Sequence, residues 1–259
     1  MEIRVLGGYG AEFFSIDKEV STRYHRTGFL INQSVVLDAG TLCSVLTFSE
    51  SVAISAIFLT HAHLDHVQGI ASFAETLCGR VSQPIPVFGI EDTIETLKKH
   101  LFNNKLWPDF TRLPTEEAPT LRYQVIETGK PITVSGLNMT PIATHHIVPS
   151  IGFIIDDGRV AVVFSGDTHK TEAIWKSASQ IPYLKAAFIE CSLPNRLSQL
   201  AYRSGHLTPS LANHEFLKIK REVPFYTYHM KPAYLEEIRM ELAGFPNAHL
   251  LHDGMTLHF

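Results

Sequence analysis

Six consecutive residues, His61-Ala62-His63-Leu64-Asp65-His66, carry four side chains able to bind a metal ion. Imidazole nitrogens suit Zn²⁺, Mn²⁺ or Fe, and a carboxylate adds negative charge where a hydroxide must be held. The run follows an apolar stretch, residues 53–59, that reads as a buried strand. A tight turn after it lets His61 and His63 point one way while Asp65 and His66 point another. That geometry can hold two ions close together and activate water against a phosphoryl or carbonyl centre. A His-rich loop that binds nothing is the competing reading, but crowded imidazoles repel one another once protonated.

Two closed coordination shells need more ligands, and three other strand ends offer them. Thr144-His145-His146 follows the alternating strand 137–143, Ser165-Gly166-Asp167-Thr168 follows 160–164, and His229 follows the apolar strand 225–228. Open α/β sheets place their sites at the carboxyl ends of strands. Gly166 allows a sharp turn that aims the Asp167 carboxylate. A single His after a strand is ordinary; three such sites downstream of the His61–His66 cluster make chance a poor explanation.

The elements that would position these residues alternate along the chain. Strands are expected at 2–6, 28–31 and 35–37, then a helix from Leu64 with Val67, Ile70, Ala71, Ala74 and Leu77 on one face. Residues 91–101 give a second helix with Ile94, Leu97 and Leu101 aligned. The aromatic-rich segment 102–110 after it fits core packing, a lid or a subunit contact. Residues 151–155 and 159–164 form a hairpin about Asp156-Asp157-Gly158. Further helices are expected over 171–180, 209–220 and 232–242, the middle one opened by a capping Thr208 and by Pro209 at its first position. More strands than helices, with helices for both outer faces, predict one α/β domain over residues 1–259, a four-layer αββα sandwich.

Composition narrows the partners. The 259 residues are 45% hydrophobic and 19% charged, with mean hydropathy +0.05, which suffices for a sizeable core. Net charge is −4 and the pI about 6.4, which argues against a polynucleotide partner without excluding a local basic patch. Cys43, Cys78 and Cys191 are odd in number and widely spaced, pointing to a reducing compartment rather than a disulfide framework. Cys191 reads as a small buried hydrophobe. No stretch reaches the roughly 20 apolar residues of a membrane helix, and residues 1–10 do not read as a signal peptide. A soluble cytoplasmic protein with no membrane partner is expected.

His61-Ala62-His63-Leu64-Asp65-His66, a later His, Ser165-Gly166-Asp167-Thr168 and a His toward the C-terminus together resemble the metallo-β-lactamase superfamily. The resemblance implies that His61, His63 and His146 hold one metal, that Asp65, His66 and His229 hold the other, and that Asp167 bridges them. His146 is preferred to His145 because residues 146–152 resemble the H-x-V-P-x-x-G pattern of ribonuclease Z-like members; His145 then lies behind the ligands. A narrower resemblance, to class II 3′,5′-cyclic-nucleotide phosphodiesterases, rests on residues 63–69 (HLDHVQG), 93–110 (TIETLKKHLFNNKLWPDF), 189–196 (IECSLPNR) and 205–209 (GHLTP). The second block is the most telling, because metal chemistry does not require it. Residues 70–77 depart from the family's usual continuation, and the chain is short beside fungal members.

This resemblance implies two divalent ions, Zn²⁺ with Mn²⁺ or Fe as alternatives, and a small-molecule cyclic nucleotide, cyclic AMP or cyclic GMP. A hydroxide bridging the metals would attack in line, expel the 3′-oxygen and leave a 5′-monophosphate. Asp65 would orient the nucleophile or take its proton. His206, in Ser204-Gly205-His206-Leu207-Thr208, would stabilise the phosphate or protonate the leaving oxygen, and the helix start beside it favours an anion. A solvent-exposed helix-entry His is the alternative there. His25, in a polar loop at 21–27, and His169 are expected at the surface. By analogy the chain could be a homodimer, with residues 91–110 as one candidate surface. Competing readings are a ribonuclease Z-like nuclease processing tRNA 3′ ends or another small phosphodiester hydrolase, a di-iron oxidoreductase, and a non-catalytic metal-stabilised module. Against the last, all seven expected ligand positions are filled.

Overall fold

The computed structural model describes residues 1–17 and 20–259. In chain order the strands are β1 (Glu2–Gly7), β2 (Phe13–Asp17), β3 (Val20–Tyr24), β4 (Gly28–Ile31), β5 (Val35–Ala39), β6 (Ala56–Phe58), β7 (Ile85–Gly89), β8 (Leu121–Val125), β9 (Ile132–Val134), β10 (Leu137–Thr144), β11 (Ser150–Asp156), β12 (Ala161–Phe164), β13 (Leu184–Glu190), β14 (Phe225–Tyr228), β15 (Ala248–Leu250) and β16 (Thr256–His258). The α-helices are α1 (Phe48–Val52), α2 (Leu64–Leu77), α3 (Glu91–Thr96), α4 (Ala173–Ser179), α5 (Ser198–Ser204), α6 (Pro209–Leu217) and α7 (Leu235–Leu242).

Two large sheets face each other, with strand orders β16-β1-β4-β5-β6-β7-β8 and β15-β14-β13-β12-β11-β10-β9. Each has a parallel run, β5 to β8 in the first and β12 to β15 in the second. Three apolar layers follow from the side-chain periodicity. Val67, Ile70, Phe73, Ala74 and Leu77 of α2 pack on the outside of the first sheet with Val36, Ile57 and Val87. Ile174, Trp175, Phe216 and Ile238 of α4, α6 and α7 pack on the outside of the second. Between the sheets lie Phe29 and Phe58 from one and Phe153, Phe164 and Phe188 from the other. Phe29 meets Phe164 edge-on at 4.9 Å, and Phe58 meets Phe153 at 5.7 Å. This is the four-layer αββα sandwich expected from the sequence, and no helix among the described residues is long and apolar enough to cross a membrane.

Several local readings change. The 91–101 helix is helical throughout, but its last turn, Leu97–Leu101, widens to a π turn. Phe102 and Phe110 are buried in the core and Trp107 packs on it, so the aromatic segment serves packing. Thr208 precedes α6 with Pro209 at its first turn, but its hydroxyl makes no capping hydrogen bond. The real capping box is at α1, where Thr47 and Glu50 exchange hydrogen bonds. The β2–β3 hairpin, β8, β9, β15 and β16 had no counterpart in the sequence reading.

Two glycines let the layers close on the His-rich turn. A Cβ on Gly40, just after β5, would lie 1.9 Å from the Asp65 carbonyl oxygen and 2.8 Å from that of Thr27. Gly166 has φ +61°, and a Cβ there would lie 2.4 Å from the Ile151 carbonyl oxygen. The Gly40→Ala substitution should therefore push the first turn of α2 outward and cost about 1–3 kcal/mol, the usual penalty for overpacking. Urea denaturation would read this as a lower midpoint, and an unchanged midpoint would show that the contact relaxes freely.

Candidate metal centre

The His-rich turn leaves β6 at the carboxyl edge of the first sheet, with His63 as the residue before α2 and Asp65 in its first turn. Facing it are His146 after β10, Asp167 after β12 and His229 after β14, all at the matching edge of the second sheet. The seven residues expected as ligands therefore converge from four separate strand ends onto one place. His61, His63 and His146 each present a ring nitrogen within 4.8 Å of the others; Asp65, His66 and His229, and likewise His61, His66 and Asp167, bring a carboxylate oxygen and two ring nitrogens equally close. Asp167 Oδ2 lies 3.2 Å from His229 Nε2, 3.3 Å from His66 Nε2 and 3.7 Å from His61 Nε2, so it stands between the two groups.

Two buried carboxylates that the sequence reading did not single out hold these rings. Asp38, from β5, accepts the His66 Nδ1 proton at 2.8 Å and the Thr60 backbone N–H at 2.9 Å. The Thr60 hydroxyl donates to Asp38 Oδ2 at 2.9 Å, which leaves its oxygen to accept from His61 Nδ1 at 3.0 Å. Glu190, at the end of β13, repeats the pattern in the second sheet. It takes the His206 Nδ1 proton at 2.8 Å, and the Ser192 hydroxyl donates to it at 3.1 Å while lying 2.8 Å from His229 Nδ1. His146 Nδ1 donates to the Gly205 carbonyl at 2.9 Å. Each carboxylate thus fixes one imidazole directly and one through a hydroxyl, turning the opposite ring nitrogens inward.

Those inward atoms are poorly satisfied by protein. His61 Nε2, His66 Nε2 and Asp167 Oδ1 are buried without a hydrogen-bond partner. Buried polar atoms are nearly always paired, so three unpaired ones in one place fit a site built to bind a cation. Asp65 Oδ2 faces His229 Nε2 at 3.2 Å, an arrangement that a shared positive charge would stabilise. The donor set of imidazoles and carboxylates fits Zn²⁺, Mn²⁺ or Fe.

Electrostatics favour the same use. Burial, with His66 adjacent, pushes the His61 imidazole well below its ordinary range; burial and His146 lower His63. Burial also lowers His229. These three rings are therefore biased toward the neutral state that can ligate. At His66, by contrast, burial is outweighed by the Asp167 and Asp38 carboxylates, which raise the imidazole well above its ordinary range. Burial opposes charge on Asp167 too, yet His229 and His66 hold its carboxyl well below the usual carboxylate range. At His206 burial is outweighed by the Glu190 charge and hydrogen bond, which raise its pKa.

Backbone conformation adds a second signature. Asp38 (φ +56°) and His229 (φ +64°) are both left-handed, a conformation uncommon for residues with a Cβ and concentrated at functional positions. At Asp38 the β4–β5 register slips between Gly28 and Phe29, a bulge that re-aims the carboxylate. Only tertiary contacts reveal the parts played by Asp38 and Glu190; in sequence each is one acid at the end of an apolar strand.

Other candidates take different places. His145 is exposed and joins the network through its backbone, whose N–H donates to Thr168. His169, expected at the surface, is half-buried and its Nδ1 donates to the His206 carbonyl at 2.8 Å. His25 pairs with Asp253 at 2.9 Å and is not among the converging rings. Cys191 is fully buried.

The profile of the beta-lactamase superfamily domain matches residues 37–230, a span that opens just before Asp38 and closes just after His229. The chain belongs to the metallo-β-lactamase superfamily. It is 25% identical over 207 residues to a probable 3′,5′-cyclic-nucleotide phosphodiesterase of Yersinia pestis, covering 70% of this chain and 58% of that one. It is 27% identical over 190 residues to 3′,5′-cyclic-nucleotide phosphodiesterase 1 of Saccharomyces cerevisiae, covering 63% and 50%. The chain thus spans about half to three-fifths of the length of these relatives. The fold superposes on that of unliganded yeast PDE1 with a TM-score of 0.78, at 19% identity, over 100% of this chain and 99% of that one.

Asp38 is the residue on which the first-sheet half of this metallo-β-lactamase centre rests. Asp38→Ala would leave the Thr60 N–H, the Thr60 hydroxyl and His66 Nδ1 unpaired in a buried space, costing about 3 kcal/mol or more. Asp38→Asn keeps an acceptor and tolerates the left-handed backbone, so it should cost less. Urea melts of the two variants test this, and equal stability of Asp38→Ala and the parent would remove Asp38 from its assigned place.

Proposed function

We propose that the chain is a metal-dependent phosphodiesterase that hydrolyses 3′,5′-cyclic nucleotides to 5′-monophosphates. The observation that carries the reading is the position of Asp167 between two groups of converging histidines, with His61 Nε2, His66 Nε2 and its own Oδ1 buried without partners. The relatives named as cyclic-nucleotide phosphodiesterases support the substrate class. His61, His63 and His146 would hold one ion, Asp65, His66 and His229 the other, with Asp167 shared. Residues 1–259 are taken as one hydrolase domain. Two divalent ions, Zn²⁺ with Mn²⁺ or Fe as alternatives, would make water nucleophilic near neutral pH and neutralise phosphoryl charge.

The chain's own residues supply the remaining chemistry. Asp65 is partly exposed at the opening, where its carboxylate can orient a water or take its proton. Lys231, 3.7 Å from Asp65 Oδ2 and donating to the Gly10 carbonyl, adds positive charge beside it. His206 lies 5.0 Å, ring to ring, from His146 and 5.2 Å from His229, near enough to serve a substrate held there. With Nδ1 committed to Glu190, Nε2 is the atom that can carry a proton to the departing 3′-oxygen. Glu190 stabilises the charged ring while that proton is held, the part a buried carboxylate plays behind a general-acid histidine.

A ribonuclease Z-like reading shares this centre and draws on residues 146–152, so the first experiment compares substrates. Protein with Zn²⁺ or Mn²⁺ should convert cyclic AMP or cyclic GMP to the 5′-monophosphate and leave 2′,3′-cyclic nucleotides and precursor tRNA untouched. Metal analysis should give about two ions per chain, and Asp167→Ala should abolish turnover and lower that number. Turnover of RNA alone would replace the cyclic-nucleotide assignment while keeping the centre. A second test concerns His206. His206→Ala should slow cyclic-nucleotide hydrolysis by about 100-fold or more, the usual worth of general-acid catalysis. A diester with a 4-nitrophenolate leaving group, which needs no proton, should lose far less. Equal losses on both substrates would mean that His206 binds the phosphate rather than protonating the leaving oxygen.

A further inference from the structure

Several exposed side chains adjoin the histidine cluster, in the chain or by contact, and are not used by the metal chemistry. Leu64, between His63 and Asp65, is 60% exposed, and Ile147, after His146, is also 60% exposed. Tyr202 is 70% exposed, on the helix α5 whose C-cap Gly205 accepts the His146 Nδ1 proton. The ring of His169 meets Tyr202 edge-on, with centroids 5.2 Å apart. His169 is itself fixed on both sides: Nδ1 donates to the His206 carbonyl at 2.8 Å and the backbone N–H donates to the His145 carbonyl at 2.6 Å. A shallow depression of about 390 Å³, lined by Ser198, Gln199, Tyr202 and Arg203, adjoins the ring.

We propose that Tyr202, steadied at its edge by His169, is the surface on which the nucleobase of the substrate stacks. The inference rests on the phosphodiesterase reading and adds the part of the substrate that the metal centre leaves unspecified. From His206 the contacts lead in one direction to an exposed aromatic ring. That direction runs past the His206 carbonyl to His169 and then to Tyr202. Leu64 and Ile147, exposed beside His63 and His146 in the chain, offer no π face. Phe13 and Phe14, also exposed, lie on the separate β2–β3 hairpin. An aromatic platform tolerates any base, since every base has a π face, so both purine cyclic nucleotides should use it. Rigid attachment of His169 to the backbone of the residue that serves the leaving oxygen would couple base placement to phosphate placement.

The test compares kcat/KM for cyclic AMP with kcat/KM for the 3′,5′-cyclic phosphate of methyl riboside, which has the same ring and no base. In Tyr202→Ala the ratio of the two should fall on the order of tenfold, within the range of base–aromatic stacking, mainly through a higher KM for cyclic AMP. Tyr202→Phe, which keeps the ring, should restore the parent ratio. An unchanged ratio in Tyr202→Ala, or a Phe variant as poor as the Ala variant, would overturn the proposal. If the parent hydrolyses neither cyclic phosphate, the phosphodiesterase reading itself fails, and the stacking inference falls with it.

Discussion

Two carboxylates buried away from water, Asp38 and Glu190, are the constraint around which the rest of the structure is arranged. An ionised group in the interior costs several kcal/mol unless every lone pair is met. Each is met by one imidazole, one hydroxyl and backbone N–H groups, supplied from its own side of the molecule. The strand ends, the β5 bulge and the left-handed backbone at Asp38 are what bring those partners within reach. Polar satisfaction and ring orientation are here one problem with one solution.

That solution explains why the chain tolerates several locally unfavourable choices. Asp38 and His229 sit in a backbone conformation that costs about 1–3 kcal/mol each. Gly40 and Gly166 are kept small by carbonyl oxygens that leave no space for a methyl group. His61, His66 and His229 are buried together, with the His66 ring 4.2 Å from that of His61 and 5.0 Å from that of His229. The three apolar layers of the sandwich offset these costs.

The ligand-type residues were legible in sequence because their spacing is unusual: four in one turn, then single residues at the ends of three apolar strands. The fold was legible for the same reason, since unbroken apolar runs such as Val160–Phe164 mark strands covered on both faces. Asp38, Thr60, Glu190 and Ser192 were not legible. Each is a common residue type at an ordinary strand end, and what distinguishes it is a partner far away in sequence, as with Asp38 and His66 or Glu190 and His206. The short edge strands β9, β15 and β16 escaped because three residues carry no measurable alternation. Thr208 read as a cap because the tripeptide pattern fits, but its hydroxyl points elsewhere.

The Asp38 network is carried by the first sheet and the Glu190 network by the second; they meet at the rim, where His66 and His229 both approach Asp167, and the phenylalanine layer lies between the sheets beneath them. The gap between the histidine groups is therefore a gauge of how far apart the sheets stand. Phe29 against Phe164, and Phe58 against Phe153, act as spacers in that gauge. Side-chain volume deep in this layer bears on how far apart the histidine-bearing strand ends stand, so an interior with no reactive group of its own becomes an instrument for adjusting geometry at the rim.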